Sequence, residues 1–208
     1  MNTEKKSLAV KELLPATIWG LLSLIPIGLY ILTIPHLVIE KIVRKQKFSE
    51  LGFRIKGFGE AIRKNWWLII LPAALGLSEL FLSKLISPEY MNHVIERVRP
   101  TLNFDQAPVL IIQIVLLSLA EEISFRAFMQ RKMSLCIKPM WAIFIVSLLF
   151  AVAHFSTGSP IVVAYDLIGI FIDSVIYGLL FQRTKSVYVS WLSHMIANLT
   201  GALIVFVI

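Results

Sequence analysis

Seven ionisable side chains interrupt the apolar carboxyl-terminal half of the chain: Glu121, Glu122, Arg126, His154, Asp166, Asp173 and His194. An ionisable group inside a hydrophobic span is costly and marks a functional position by default, and their spacing sorts them. Glu122 and Arg126 stand four apart, so on a helix they meet on one face as an ion pair. Removing either would strand a buried charge, which makes the pair structural. Glu121 points about 100° around the same helix and has no such partner there, as suits a general base. His154 ends the run FAVAH, with Phe150 four residues earlier on its face. His194 and Asn198, in HMIAN, are again four apart and send two side chains into one space. An imidazole N–H and an Asn amide can hold a developing oxyanion where water is scarce. A carboxylate base and two hydrogen-bond donors, if brought together, suit a reaction in which an oxyanion develops. Asp166 and Asp173 share a helix face seven residues apart and are expected as interior partners, for instance of Arg126. Glu79 is expected near the outer interface.

Two other readings use the same residues. Any one intramembrane histidine can serve only as a hydrogen bond between helices. Glu121, His154 and His194 can also be combined as a two-histidine, one-glutamate zinc set with water as fourth ligand, although the chain has no HExxH pair.

The elements that must position these groups follow from hydropathy. The 208 residues are 57% hydrophobic and 16% charged, with a mean hydropathy of +0.79. Residues 13–39, 139–165 and 186–208 contain no Asp, Glu, Lys or Arg, and about 20 apolar residues cross the hydrocarbon core. Spans are expected near 14–38, 65–84, 106–130, 139–156, 160–182 and 187–207. The fold class is therefore all-α, a polytopic transmembrane helix bundle of about six spans. It forms one membrane-embedded domain over 1–208, with a basic amino-terminal part (1–105) and a core (106–201). The apolar run after the first charged residues is too long for a signal h-region and reads as the first span. Phe48, Leu51, Ile55, Phe58 and Ile62 recur at helical spacing among basic residues and suit an interfacial helix within 40–64.

Lys and Arg number three in residues 1–12, eight in 40–64, three in 84–105, four in 126–138, none in 157–159 and two in 183–185. Alternate segments then place 40–64, 126–138 and 183–185 on the cytoplasmic side, with both termini opposite. On that arrangement Glu121, His154, His194 and Asn198 lie within about 9 Å of one another in depth, in a site opening toward the cytoplasm. The net charge of +7 fits basic loops facing anionic lipid rather than a nucleic-acid partner. Cys136 is the single cysteine, which excludes an intrachain disulfide and a cysteine metal site.

The string EEISFRAFMQRK resembles the EExxxR motif of the CAAX protease and bacteriocin-processing (Abi) family, FAVAH its FxxxH motif and HMIAN its HxxxN motif. All three stand in the family's order, over roughly residues 106–201. The resemblance implies an intramembrane endopeptidase of a cell membrane, bacterial in type, acting on a peptide or membrane-associated protein. It assigns water activation to Glu121, assistance to His154, oxyanion stabilisation to His194 and Asn198, and support to Glu122 and Arg126. It favours a glutamate mechanism without metal. Ala127 departs from the glycine that members often carry after the arginine, which bears on helix packing. Small members also include bacteriocin self-immunity proteins, so a non-catalytic immunity or interaction protein is the alternative.

Overall fold

A computed structural model describes residues 3–25, 29–86 and 89–207. Among them the regular elements are all helices, with no strand. Helix α1 spans Thr3–Leu22. A 3-10 turn at Leu29–Leu32 leads into α2 (Thr33–Arg44), and α3 runs Phe58–Ile86. A short amphipathic α4 (Glu89–Val98) precedes α5 (Ala107–Glu122), which continues through a π-helical stretch, Ile123–Gln130, into α6 (Arg131–Ser134). Helices α7 (Pro139–Ala153), α8 (Pro160–Thr184) and α9 (Val187–Val207) complete the chain. Prolines at the first turns of α5, α7 and α8 stand where their missing N–H is not needed.

Among the described residues four helical stretches are long and apolar enough to cross a bilayer: Phe58–Ser83, Ala107–Ser134, Pro160–Thr184 and Val187–Ile204. The expectation of six spans is corrected at two places. Helix α7 is apolar but has only 15 residues, about 22 Å of rise against a core of about 30 Å. The expected span 14–38 is instead two helices folded back on each other. Trp19 Nε1 donates to His36 Nδ1 at 3.2 Å, and Glu12 on α1 pairs with Arg44 on α2. Helix α1 ends at Leu22, shortly before Pro26, which lies outside the described residues; a proline disfavours helix in the residue before it.

A buried charge cluster fastens this hairpin. Lys132 Nζ, fully buried, donates to Glu12 Oε2 at 2.6 Å and to Glu40 Oε1 at 2.7 Å, while Arg44 reaches Glu40 at 2.9 Å. The hairpin brings residues 3–12 to the side of 40–64. Of the loop cations, only Lys84, Arg97 and Arg99 then stand away from the basic side, a sharper asymmetry than six spans would give.

The expected interfacial helix is also absent. Residues 46–57 form turns and extended chain, with Gly52 at φ +96 and Gly57 at φ +80, a region that favours glycine. This loop is docked on the turn between α8 and α9. Val187 N donates to Gly52 O at 2.8 Å, and Ser186 Oγ donates to Arg54 O at 2.6 Å.

The centre of the bundle is the π-helical stretch, whose residues Ser124–Gln130 are all buried and which touches α1, α2, α7, α8 and α9. Ala127, fully buried, packs against Phe181 and Val187, so a small residue there serves close packing. Helix α9 lies against α3, α5 and α8. Polar contacts mark its register: Ser193 Oγ donates to Ile69 O at 2.9 Å and Trp191 Nε1 to Val115 O at 3.1 Å. Each such interhelical bond contributes about 0.6 kcal/mol in lipid.

Candidate active site

The last turn of α5 carries both glutamates into the interior, and the helix widens immediately after them. Insertions of this π type occur often at functional sites. Glu122 and Arg126 are both fully buried, with Arg126 Nε 3.3 Å from Glu122 Oε2. Arg126 Nη2 donates to Ser174 Oγ on α8 at 2.8 Å. The guanidinium also lies over the Phe150 ring, 5.4 Å from its centroid, a favourable cation–π position. The expected i,i+4 pair is therefore present. Asp166 is not its partner. That carboxylate is held by α4, from Arg97 Nε at 2.8 Å and His93 Nε2 at 3.3 Å.

Glu121 faces two histidines from different helices. His194 Nε2 lies 3.6 Å from Glu121 Oε2 and His154 Nε2 lies 4.0 Å from Glu121 Oε1. His194 Nδ1 lies 3.2 Å from Glu122 Oε1, so that one imidazole spans both glutamates. Its ring is stacked on Tyr177 of α8, centroids 4.6 Å apart at 17°, and its edge meets Phe150. His154 follows the last residue of α7, and its Nδ1 lies 2.8 Å from Phe150 O. A carbonyl only accepts, so Nδ1 carries the proton, and in the neutral ring Nε2 presents a lone pair toward Glu121. The side chains of Glu121 and His154 retain 14% and 24% exposure.

Asn198 stands one turn beyond His194 on α9. It is exposed, and it makes no side-chain hydrogen bond or ion pair among the described residues. Of the residues singled out by spacing, the structure thus brings Glu121, Glu122, Arg126, His154 and His194 together and leaves Asn198 at the margin. Among the described residues no group of three His, Cys, Asp or Glu side chains is arranged to hold a metal ion. Of the alternative zinc set, Glu121 lies 3.6 Å from His194 Nε2 and 4.0 Å from His154 Nε2, while His194 Nδ1 meets Glu122.

Three contributors carried no signal in the sequence. Ser174 and Tyr177 are ordinary residues of an apolar helix until α8 packs against the π-helical stretch. Tyr30 belongs to the amino-terminal hairpin, and its hydroxyl lies 3.2 Å from Glu121 Oε1. Nothing local distinguishes it from the other aromatic residues of the first apolar run.

A polytopic helical membrane protein with carboxylates, imidazoles and a guanidinium converging in its interior defines the class. Residues 103–200, about half the chain, match the family described as type II CAAX prenyl endopeptidase Rce1-like, and the chain belongs to that family. Comparison with curated proteins and with solved structures finds no match.

Proposed function

We propose that the protein is an intramembrane endopeptidase that hydrolyses a peptide bond in a peptide or membrane-associated protein. The observation that carries this reading is the convergence of Glu121, His154 and His194, from three helices, within 4.0 Å in the bundle interior. The 4.0 Å between Glu121 Oε1 and His154 Nε2 accommodates one water donating to both. Glu121 accepts a proton as the water oxygen attacks the carbonyl carbon. The proton passes to the departing nitrogen as the C–N bond breaks, leaving a new carboxyl terminus and a new amino terminus. His154 orients the water. His194 and the Asn198 amide stabilise the oxyanion, and their contribution arises only as charge develops. Glu122 and Arg126 hold His194 and the helix that carries Glu121.

The test is product analysis in isotopic water. Protein in lipid nanodiscs is incubated with a library of internally quenched peptides in H2(18)O. Paired fragments are expected, the upstream one with a single heavy oxygen in its new carboxyl terminus, and none from Glu121→Gln protein. Saturable binding of a peptide that wild-type protein never cleaves would instead support the immunity or interaction reading.

A further inference from the structure

The amino-terminal hairpin lies outside the segment that matches the family, yet one of its side chains reaches Glu121. Tyr30 sits in the 3-10 turn between α1 and α2. Its hydroxyl donates to Glu121 Oε1 at 3.2 Å. Burial, and then the neighbouring carboxylate, push the phenol well above its ordinary value, so the hydroxyl keeps its proton and is the donor.

This contact is built rather than incidental. The Tyr30 carbonyl lies 2.7 Å from Thr33 Oγ1 and 2.9 Å from Ser124 Oγ, and those two hydroxyls are 2.7 Å apart. Ser124 is three residues after Glu121 on the same continuous helix, so the backbone of the turn is pinned beside the carboxylate. The Tyr30 ring packs on Phe125 with centroids 5.7 Å apart, Phe125 on Phe150 at 4.9 Å, and Phe150 on His154 at 4.5 Å. One aromatic row therefore ties the turn to both sides of Glu121. Farther along the hairpin, Glu12 and Glu40 are fixed to Lys132 on the helix that continues from Glu121. The hairpin is thus anchored at both ends of its contact with that helix.

We infer that Tyr30 is a positioning residue for Glu121, through which the amino-terminal hairpin completes the site. The inference rests on the peptidase reading above. A carboxylate that must take a proton from water needs a fixed rotamer, and Oε1 can accept from the Tyr30 hydroxyl and from the water beside His154 together. The Tyr30 hydroxyl holds the carboxylate from the hairpin side, and His154 and His194 bound the space where water and substrate meet it. The hydrogen bond fixes the rotamer of Glu121, and its loss leaves that side chain free to turn.

Two measurements on the full-length protein in nanodiscs test this. In the first, Tyr30→Phe removes only the hydroxyl and keeps the ring on Phe125. Against a peptide whose cleavage Glu121→Gln abolishes, kcat should fall about tenfold or more, the loss expected for one hydrogen bond to a charged group, with KM within a factor of two. Unchanged kcat in the presence of Glu121-dependent cleavage would overturn the inference and leave the peptidase reading standing. The second needs no substrate. Thermal midpoints are measured for Tyr30→Phe, Glu121→Leu and the double variant. Tyr30→Phe should lower the midpoint by a few degrees in the native background and not in the Glu121→Leu background, because the two groups are coupled. Additive shifts would overturn the contact. Absence of any Glu121-dependent cleavage together with coupled midpoints would sink the peptidase reading and the positioning role, leaving Tyr30 as a structural partner only.

Discussion

Arg126 Nε lies 3.3 Å from Glu122 Oε2, with neither side chain exposed, whereas the adjacent Glu121 meets only imidazoles and a phenol. Two neighbouring glutamates therefore stand in different surroundings. Removing one partner of a buried ion pair costs about 3–5 kcal/mol. Glu122→Gln should lower the thermal midpoint and the amount of protein accumulating in the membrane. Glu121→Gln should accumulate as the natural protein does. Thermal scans of both purified variants check this, and equal losses would contradict the division.

The hairpin predicts a topology that six spans do not. Residues 1–12 and 131–138 share the basic side through Glu12 and Lys132. Impermeant maleimide should label Cys136, and a cysteine placed at Lys11 in a Cys136→Ser background, only after cells are permeabilised. A cysteine placed at Arg99 should label in intact cells. Burial, followed by the nearby Glu12 charge, pushes the Cys136 thiol up, so labelling is best run on the alkaline side. Opposite protection of Lys11→Cys and Cys136 would restore a first crossing.

The clamp on that hairpin is sensitive to acid. Burial acts to raise the Glu12 carboxyl, but hydrogen bonds from Lys132 and Arg44 outweigh it, and the net shift is below the ordinary value of 4.5. A group depressed in the folded state contributes stability that is present above its unfolded value and is lost as pH falls through its folded one. The thermal midpoint should therefore hold steady above 4.5 and decline below it. In Glu12→Gln protein the midpoint should be lower at neutral pH and the acid decline shallower. An unchanged acid limb in the variant would remove Glu12 from the account.

What could be read from sequence was polar chemistry in an apolar setting. Glu121, His154 and His194 stand out because lipid tolerates so few such groups, and i,i+4 spacing fixes the Glu122–Arg126 pair without tertiary information. The reversal of the first apolar run could not be read the same way. Residues 13–39 are uncharged and long enough to cross, and the contacts that hold the folded-back arms run to Lys132, 120 residues from Glu12 and 92 from Glu40. Asp166 is an interior partner as expected, but not of Arg126, for a related reason. Its partners His93 and Arg97 lie on α4, a helix of 10 residues in a segment that hydropathy treats as loop. The turns at Gly52 and Gly57 override a helical apolar spacing, because positive φ breaks the helix whatever the pattern around it.

Asn198 is exposed and holds no other residue in place, so its removal should be harmless to the fold. Asn198→Ala should leave the thermal midpoint unchanged and reduce kcat by about 10²-fold with KM little altered, as for a donor engaged only in the transition state. The metal question is joined to it. Exhaustive chelation should leave the wild-type rate intact, whereas a zinc site would lose activity and regain it with zinc. Activity that follows zinc and ignores Asn198→Ala would replace the glutamate mechanism with a metal one.

The most direct measurement is the single-turnover cleavage rate of one peptide by wild-type, Glu121→Gln and Glu122→Gln proteins, compared at equal concentrations of folded protein in the same bilayer. The account predicts that Glu121→Gln loses about 10³-fold or more, as for a missing general base, while the folded fraction of Glu122→Gln retains measurable turnover. A Glu121→Gln rate within threefold of wild type, or a loss confined to Glu122→Gln, would contradict it.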